Sequence, residues 1–310
     1  MPFPIRAASA FMLFGTLLSA ADPQLISLVM PDARLVGGVN VSQARSTPFG
    51  RFLLDRVQAG DNGFSDFVTA TGFDPRRDLV EVVLASATTT GDKGVLLARG
   101  SFDTERITTL MRGAGKTPEI YGGVEIIGGR QESHAVAFLD GTTAIAGDAE
   151  SVKAAIDRRT RPTRLDPALL AKIDELSASQ HIWGVTVAPL AGLSAQAPDQ
   201  KMSGMLQGDL FKTVERASAG LKFGPTVQLS AEAVAHTEKD AAALADALKF
   251  LVNLAGMQSQ KPPGLDWAAL AQSLKLSSES NTVRMAIEIP EADFEKLIQS
   301  RGEAAPPRNP

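Results

Sequence analysis

Three stretches of the chain carry residue types and spacings from which chemistry could be built. Asp140-Gly141-Thr142 is a tripeptide used by phosphatases that work through a phospho-aspartate, but such an enzyme needs its nucleophilic aspartate two residues earlier, and Phe138 stands there. Without that carboxylate no phospho-aspartyl step can form. "RGAGKT" at 112–117 imitates a phosphate-binding loop, yet the pattern G-x-x-x-x-G-K-[ST] calls for glycine where Leu110 stands. It also calls for a strand before and a helix after, whereas the apolar spacing here places a helix before and Pro118 with a strand after. Gly113 and Gly115 therefore read as a helix stop. His134, His181 and His236 sit near strand ends and lack the close helical spacing of a zinc hydrolase. No G-x-S-x-G elbow or S-x-x-K motif occurs. The sequence thus assigns no catalytic residue, no metal ligand and no cofactor.

Recognition by apolar side chains is the remaining chemistry. Trp183 and Trp267, with "PFGRFLL" (48–54) and "GFSDF" (63–67), are the largest apolar anchors. They read first as core and second as the lining of a groove for an apolar ligand. An amphipathic helix over about 238–256 puts Ala241, Leu244, Ala245, Leu248, Leu251, Val252 and Ala255 on one face. The ligand site expected from this pattern is Trp183, Leu248, Leu251 and Val252. A hollow lined by these four would carry a lipid-like molecule, and a filled core would not.

The elements that must position such a site follow from periodicity. Apolar alternation at 34–41, 78–87 and 93–102 predicts strands, the last two joined as a hairpin across "TTTGD". "EIYGGVEIIGG" predicts a second hairpin turned at Gly122 and Gly123, and "HAVAFLD" with "TTAIAGD" a third, with Asp140-Gly141 as a primed turn. Helices are expected over about 47–58, 64–71 and 167–177, and after the caps Asp103 or Thr104 and Asp148. Hairpins beside helices predict an α+β fold with a mostly antiparallel sheet and helices on one face.

The chain also echoes itself. "GGVNV" (37–41) is answered by "WGVTV" (183–187), "VLLARGSFDTERITTLM" (95–111) by "QLSAEAVAHTEKDAAAL" (228–244), and "AIAGDAESVKAAIDRR" by "VRMAIEIPEADFEKLIQ" (283–299). Val152, Ala155 and Ile156 match Phe294, Leu297 and Ile298 in the last pair. Three landmarks in one order predict two related repeats, 22–165 and 166–300, followed by a disordered tail over 301–310. How the repeats pack is left open between edge-to-edge and face-to-face.

Residues 1–21 have the layout of a signal peptide. One cation, Arg6, precedes an apolar run from Ala7 to Leu18, and Ser19, Ala20 and Ala21 supply small residues for cleavage near Ala21. The run falls short of the ~20 apolar residues of a membrane span, an uncleaved anchor being the alternative. With no cysteine in 310 residues, disulfides, thiolate chemistry and a lipid on an N-terminal Cys are all excluded. A periplasmic or secreted protein is expected, without a stable membrane span after signal cleavage. Formal net charge is −4 and becomes −5 once Arg6 is lost, which argues against a nucleic-acid partner. The basic cluster Arg158, Arg159, Arg161 and Arg164 reads as a helix end, where the dipole favours cations.

"LISLVMPDARLVGGVNVSQARSTPFGRFLLDRV" together with "AIAGDAESVKAAIDRR" resembles exported bacterial proteins of unknown function of an acidobacterial type, in which similar opening and closing formulas bracket each unit. The resemblance covers most of 25–160 and, more faintly, 181–299. It implies the duplicated architecture and no catalytic residue. Three functional readings follow, in order: an extracytoplasmic non-catalytic protein that binds an unknown protein or ligand, a carrier or sensor of a small apolar or lipid-like molecule, and last a hydrolase.

Overall fold

The computed structural model describes residues 20–59, 62–88, 93–128, 134–188, 209–257 and 272–303. After α1 (Pro23–Ser27), strand β1 (Leu35–Val39) leads through α2 (Val41–Arg45), α3 (Pro48–Ala59), α4 (Asn62–Thr71) and α5 (Pro75–Asp78) to the hairpin β2 (Leu79–Ser86) and β3 (Gly94–Gly100). Then come α6 (Thr104–Gly113), β4 (Pro118–Tyr121), β5 (Val124–Gly128), β6 (Ala135–Phe138), β7 (Thr143–Gly147) and α7 (Ala149–Arg158). The second half holds α8 (Pro167–Ser179), β8 (Ile182–Thr186), α9 (Asp209–Lys212), β9 (Val214–Lys222), β10 (Thr226–Ala235), α10 (Glu238–Met257), β11 (Lys275–Glu279), β12 (Thr282–Pro290) and α11 (Glu291–Glu303).

Local chemistry explains most boundaries. Asp103 and Asp148 cap α6 and α7 by accepting from Arg106 N and Ser151 N, each covering a backbone donor with no helical partner. Gly115, with φ of 83°, ends α6 as its N–H returns to Arg112 O. Gly122 and Gly123, both with positive φ, turn β4 into β5. The Asp140-Gly141 turn differs from the expected primed pair. Asp140 Oδ1 accepts from both the N–H and the Oγ1 of Thr142, and Leu139 N–H donates to Thr143 O, which makes a longer loop. A side chain that bonds its own backbone two residues on sets this turn, and Gly141 does not take up left-handed backbone.

All twelve strands form one antiparallel sheet in the order β11-β12-β10-β9-β8-β1-β2-β3-β7-β6-β5-β4, and the fold is α+β. The two halves meet edge to edge at β1 and β8. Outward from that junction the order is β1, β2, β3, β7 on one side and β8, β9, β10, β12 on the other, each series ending in a helix, α7 or α11. Those two helices pack on opposite faces. Val152, Ala155 and Ile156 of α7 join Leu97, Ile145 and Trp183 in the main core, whereas Phe294 and Ile298 of α11 join Phe49, Ile182 and Leu221. Because successive strand residues point to opposite sides, Ile182 and Trp183 mark the two faces.

Helices therefore cover both faces of the sheet. On the Trp183 face, α1, α7 and α8 bury the N-terminal half around Leu25, Val36, Val83, Leu97, Ile145 and Ile173. On the Ile182 face, α9 and α10 cover the C-terminal half around Phe211, Leu244 and Val283, while α3 and α11 cover a second corner. Helix α11 extends through Glu303, so 301–303 are helical where a disordered tail was expected. Among the described residues, no helix is long and apolar enough to cross a membrane.

Candidate functional site

One row of directly paired residues crosses the Ile182 face through all twelve strands. From edge to edge it reads Pro118, Ile127, Val136, Ala146, Leu96, Leu84, Gly37, Gly184, Ala219, Ala231, Met285, Leu276. No member is polar. Such a row is ordinary where a helix covers it, but Leu84 and Leu96, facing each other across β2 and β3, are 47% and 41% exposed. Bare apolar surface of this kind marks a binding site more often than a lone exposed leucine does.

Over the β8, β9, β10 and β12 part of the row the sheet opens into a trough of about 380 Å³. Leu35, Gly184, Ala219, Ala231 and Met285 form its floor, and Phe211 of α9 with Leu244 and Leu248 of α10 forms a wall. Polar contributions come from Thr186 and from the margins of Ser218 and Glu232, whose side chains belong to the other face. The glycines are the distinctive feature. A Cβ at Gly184 would find its nearest heavy atom, Val36 O, 4.0 Å away. A Cβ at Gly37, opposite, would instead meet Trp183 O at 3.1 Å, so of the pair Gly184 is the open one. Glycine weakens a strand, so an open glycine in mid-sheet calls for a reason such as close approach by a ligand.

The opposite face beneath β9, β10 and β12 mixes apolar and charged side chains. A hollow of about 580 Å³ there is lined by Lys172, Glu175, Ser218, Ser230, Glu232, Ser277 and Arg284 among others. Glu232 pairs with Lys172 at 3.0 Å and with Arg284 at 2.9 Å. Burial acts to raise its carboxyl, and the two cations outweigh burial and hold it below the ordinary range. The charges of Lys172, Glu175, Glu232 and Arg284 are thus spent on ion pairs, which leaves the trough as the better apolar receptor.

The expected site residues divide between places. Leu248 lines the trough and Val252 is half-buried further along the same helix. Trp183 lies on the other face, 4% exposed, with its ring over Gly38, where an added Cβ would meet Trp183 Cζ2 at 2.5 Å. Trp183 is thus core and does not meet Leu248 in one hollow, because β8 alternation turns it away. The side chains of Leu251, Phe64 and Phe67, and all of Trp267, lie outside the described residues, as do 1–19. Gly184, Leu84 and Leu96 were missed as site residues; a single glycine and two strand leucines carry no signal of their own in the sequence.

The sequence motifs prove structural where they are described. Backbone carbonyls of Gly141 and Thr142 accept from Phe102 N and Gly100 N, so the Asp-Gly-Thr loop stitches β7 to the end of β3. Burial would raise Asp140, but hydrogen bonds from Thr142 and Thr143 outweigh it and keep the carboxyl below its usual value. His181 accepts from Phe223 N–H through Nδ1 at 2.8 Å and stacks on the Phe223 ring at 5.1 Å. His181 precedes β8 and His236 follows β10, and since those strands run the same way the two sit at opposite ends of the sheet. Five strand steps separate β8 from β6, beside which His134 lies. Among the described residues no group of three or more acids or histidines could hold a metal ion. Arg158, from the basic cluster, is buried rather than solvated, and donates from Nε to Leu28 O at 2.8 Å.

No protein-family model matches the sequence, and no curated protein matches it. The fold is similar to that of TP0453. Crystal form I of that protein aligns with a TM-score of 0.55 at 11% identity, over 91% of this chain and 99% of that one. Crystal form III aligns with a TM-score of 0.56 at the same identity and coverage. At 11% identity the likeness shows the fold alone.

Proposed function

We propose that this is an exported, non-catalytic binding protein whose trough holds one elongated apolar molecule, such as an acyl chain. The observation that carries the reading is the unbroken apolar row, with Leu84 and Leu96 exposed on it and Gly184 flooring the trough, on a face whose flanks are covered by helices. A volume of about 380 Å³ falls in the range of small-molecule sites. Each methylene taken from water contributes about 0.8 kcal/mol, so a chain of eight carbons or so laid along the row would gain several kcal/mol without any polar anchor. The signal-like residues 1–21 support export, where such a molecule would be collected outside the cytoplasm.

Native mass spectrometry of the protein purified from its own host tests this, with the denatured mass as reference. A reproducible added mass of a few hundred daltons, removed by organic extraction, is expected. A bare monomer that also fails to take up added fatty acid would contradict the reading, and a bare dimer would point to a second copy as the occupant of the face.

A further inference from the structure

Glu81 is a buried acid that the trough does not use. It lies on β2, on the main-core face, and is 8% exposed. Its Oε2 accepts from the backbone N–H of Asp22 at 3.0 Å. Burial pushes its carboxyl up and the neighbouring Asp22 carboxylate acts in the same direction, against the Asp22 N–H and the charge of Arg99. A carboxylate in such a place is best matched by a charged donor at the atom it already touches. Arg99 is committed elsewhere, to Asp22 Oδ2 at 2.7 Å, Thr143 Oγ1 at 2.7 Å and Gln24 Oε1 at 2.6 Å. Asp22 is held in place a second way, since its Oδ1 caps α1 at Gln24 N.

We propose that the bond between Ala21 and Asp22 is hydrolysed on export, and that the new α-ammonium of Asp22 forms a buried ion pair with Glu81. Water adds across the amide, leaving a carboxylate on Ala21 and an amine on Asp22 that is protonated at neutral pH. Ser19 and Ala21 stand three and one positions before that bond, as a leader peptidase requires. The cut removes the buried methyl of Ala21 and the bond from its N–H to Ser177 Oγ at 2.9 Å. In exchange it turns the neutral donor at Glu81 into a charged one. The inference rests on the export part of the proposed function and is independent of the trough.

The full chain, produced with its own leader in a bacterial host, is expected to begin at Asp22 by intact mass and N-terminal sequencing. A chain beginning at Met1 or at any residue other than Asp22 would contradict this inference, and only one that also stays in the cytoplasmic fraction would contradict export itself. The pairing is read on chains released from a removable fusion so that they start at Asp22 or at Ala20, each with and without Glu81→Gln. In the Asp22 chain the substitution should lower the melting temperature by roughly 5–10 °C. In the Ala20 chain it should do markedly less, because a glutamine oxygen also accepts from an amide N–H. Equal losses in both overturn the pairing. If the substituted Asp22 chain does not fold, acetylating the α-amine of the unsubstituted chain gives the same readout: a comparable fall supports the ion pair, and an unchanged melting temperature overturns it.

Discussion

Gly37 lies directly opposite Gly184 where β1 meets β8, so the centre of a twelve-stranded sheet presents bare backbone on one face. The next pair along, Gly38 and Trp183, serves the other face, where the indole ring fills the space that a Cβ on Gly38 would need. Adjacent glycines in one strand therefore have different causes. Gly38 makes room for the core ring, Gly37 avoids a Cβ 3.1 Å from Trp183 O, and Gly184 leaves the floor of the trough open.

Filling that floor should separate binding from stability. Gly184→Leu points a side chain into open space and along the trough, since nothing lies closer than 4.0 Å to its Cβ. Its unfolding free energy should stay within about 1 kcal/mol of wild type, as for a surface substitution, with apolar ligand affinity reduced tenfold or more. Thermal unfolding and ligand titration on the same sample check both halves of the statement.

Gly38→Ala should behave in the opposite way. The added Cβ would sit 2.5 Å from Trp183 Cζ2, and the ring is packed in the main core. Overpacking of this kind costs about 1–3 kcal/mol. A urea titration followed by tryptophan emission should show the loss together with a shifted native spectrum, and an unperturbed midpoint would place the ring elsewhere.

Asp148 joins α7 to the sheet twice, accepting from Ser151 N at 2.9 Å through Oδ1 and from Gly94 N at 2.9 Å through Oδ2. Asp148→Ala should cost about 2 kcal/mol, a cap and one further hydrogen bond, with Asp148→Asn losing about half as much. Burial acts to raise this carboxyl, and bonds from Ser151 and Gly94 outweigh it, so its native pKa is depressed from 3.8. Its contribution is therefore complete above pH 4 or so and is lost as pH falls through the native value. The gap between wild type and the alanine variant should close on acidification, and a constant gap down to pH 2.5 would contradict the assignment.

His181 gives a second, higher window. Burial, aided by the charge of Lys222, depresses the imidazole below its ordinary 6.5, and the neutral ring accepts from Phe223 N–H. The unfolded ring takes up its proton first as pH falls, so stability is present above pH 6.5 and declines from there through the native value. His181→Ala should cost about 1–2 kcal/mol at pH 8 by orphaning the Phe223 N–H, and should flatten the decline between pH 6.5 and 5. Chemical denaturation at four pH values decides it.

Local features were legible in the sequence because their causes are local. The caps at Asp103 and Asp148, the Gly122-Gly123 turn and the long helix ending near Met257 all depend on residues within a turn of one another. What was not legible depends on pairing. Whether Trp183 or Ile182 faces α10 is set by register across β1, β8 and β9, and periodicity within a five-residue strand cannot orient the strand in the sheet. The row from Leu84 through Gly37 and Gly184 to Ala231 is contiguous only after five strands align, so its members looked like unrelated small and apolar residues. The second bond of Asp148 was hidden for the same reason, its donor being 54 residues away.

The central claim is that the trough over Gly184 holds an apolar ligand. Its most direct test is a fluorescence titration of delipidated wild type and Gly184→Leu with a naturally fluorescent long-chain fatty acid, at matched near-ultraviolet circular dichroism. Saturation at one molecule per chain in the wild type, with at least tenfold weaker binding in the variant, is the predicted result. Equal affinity in the two proteins, or no binding to either, would contradict it.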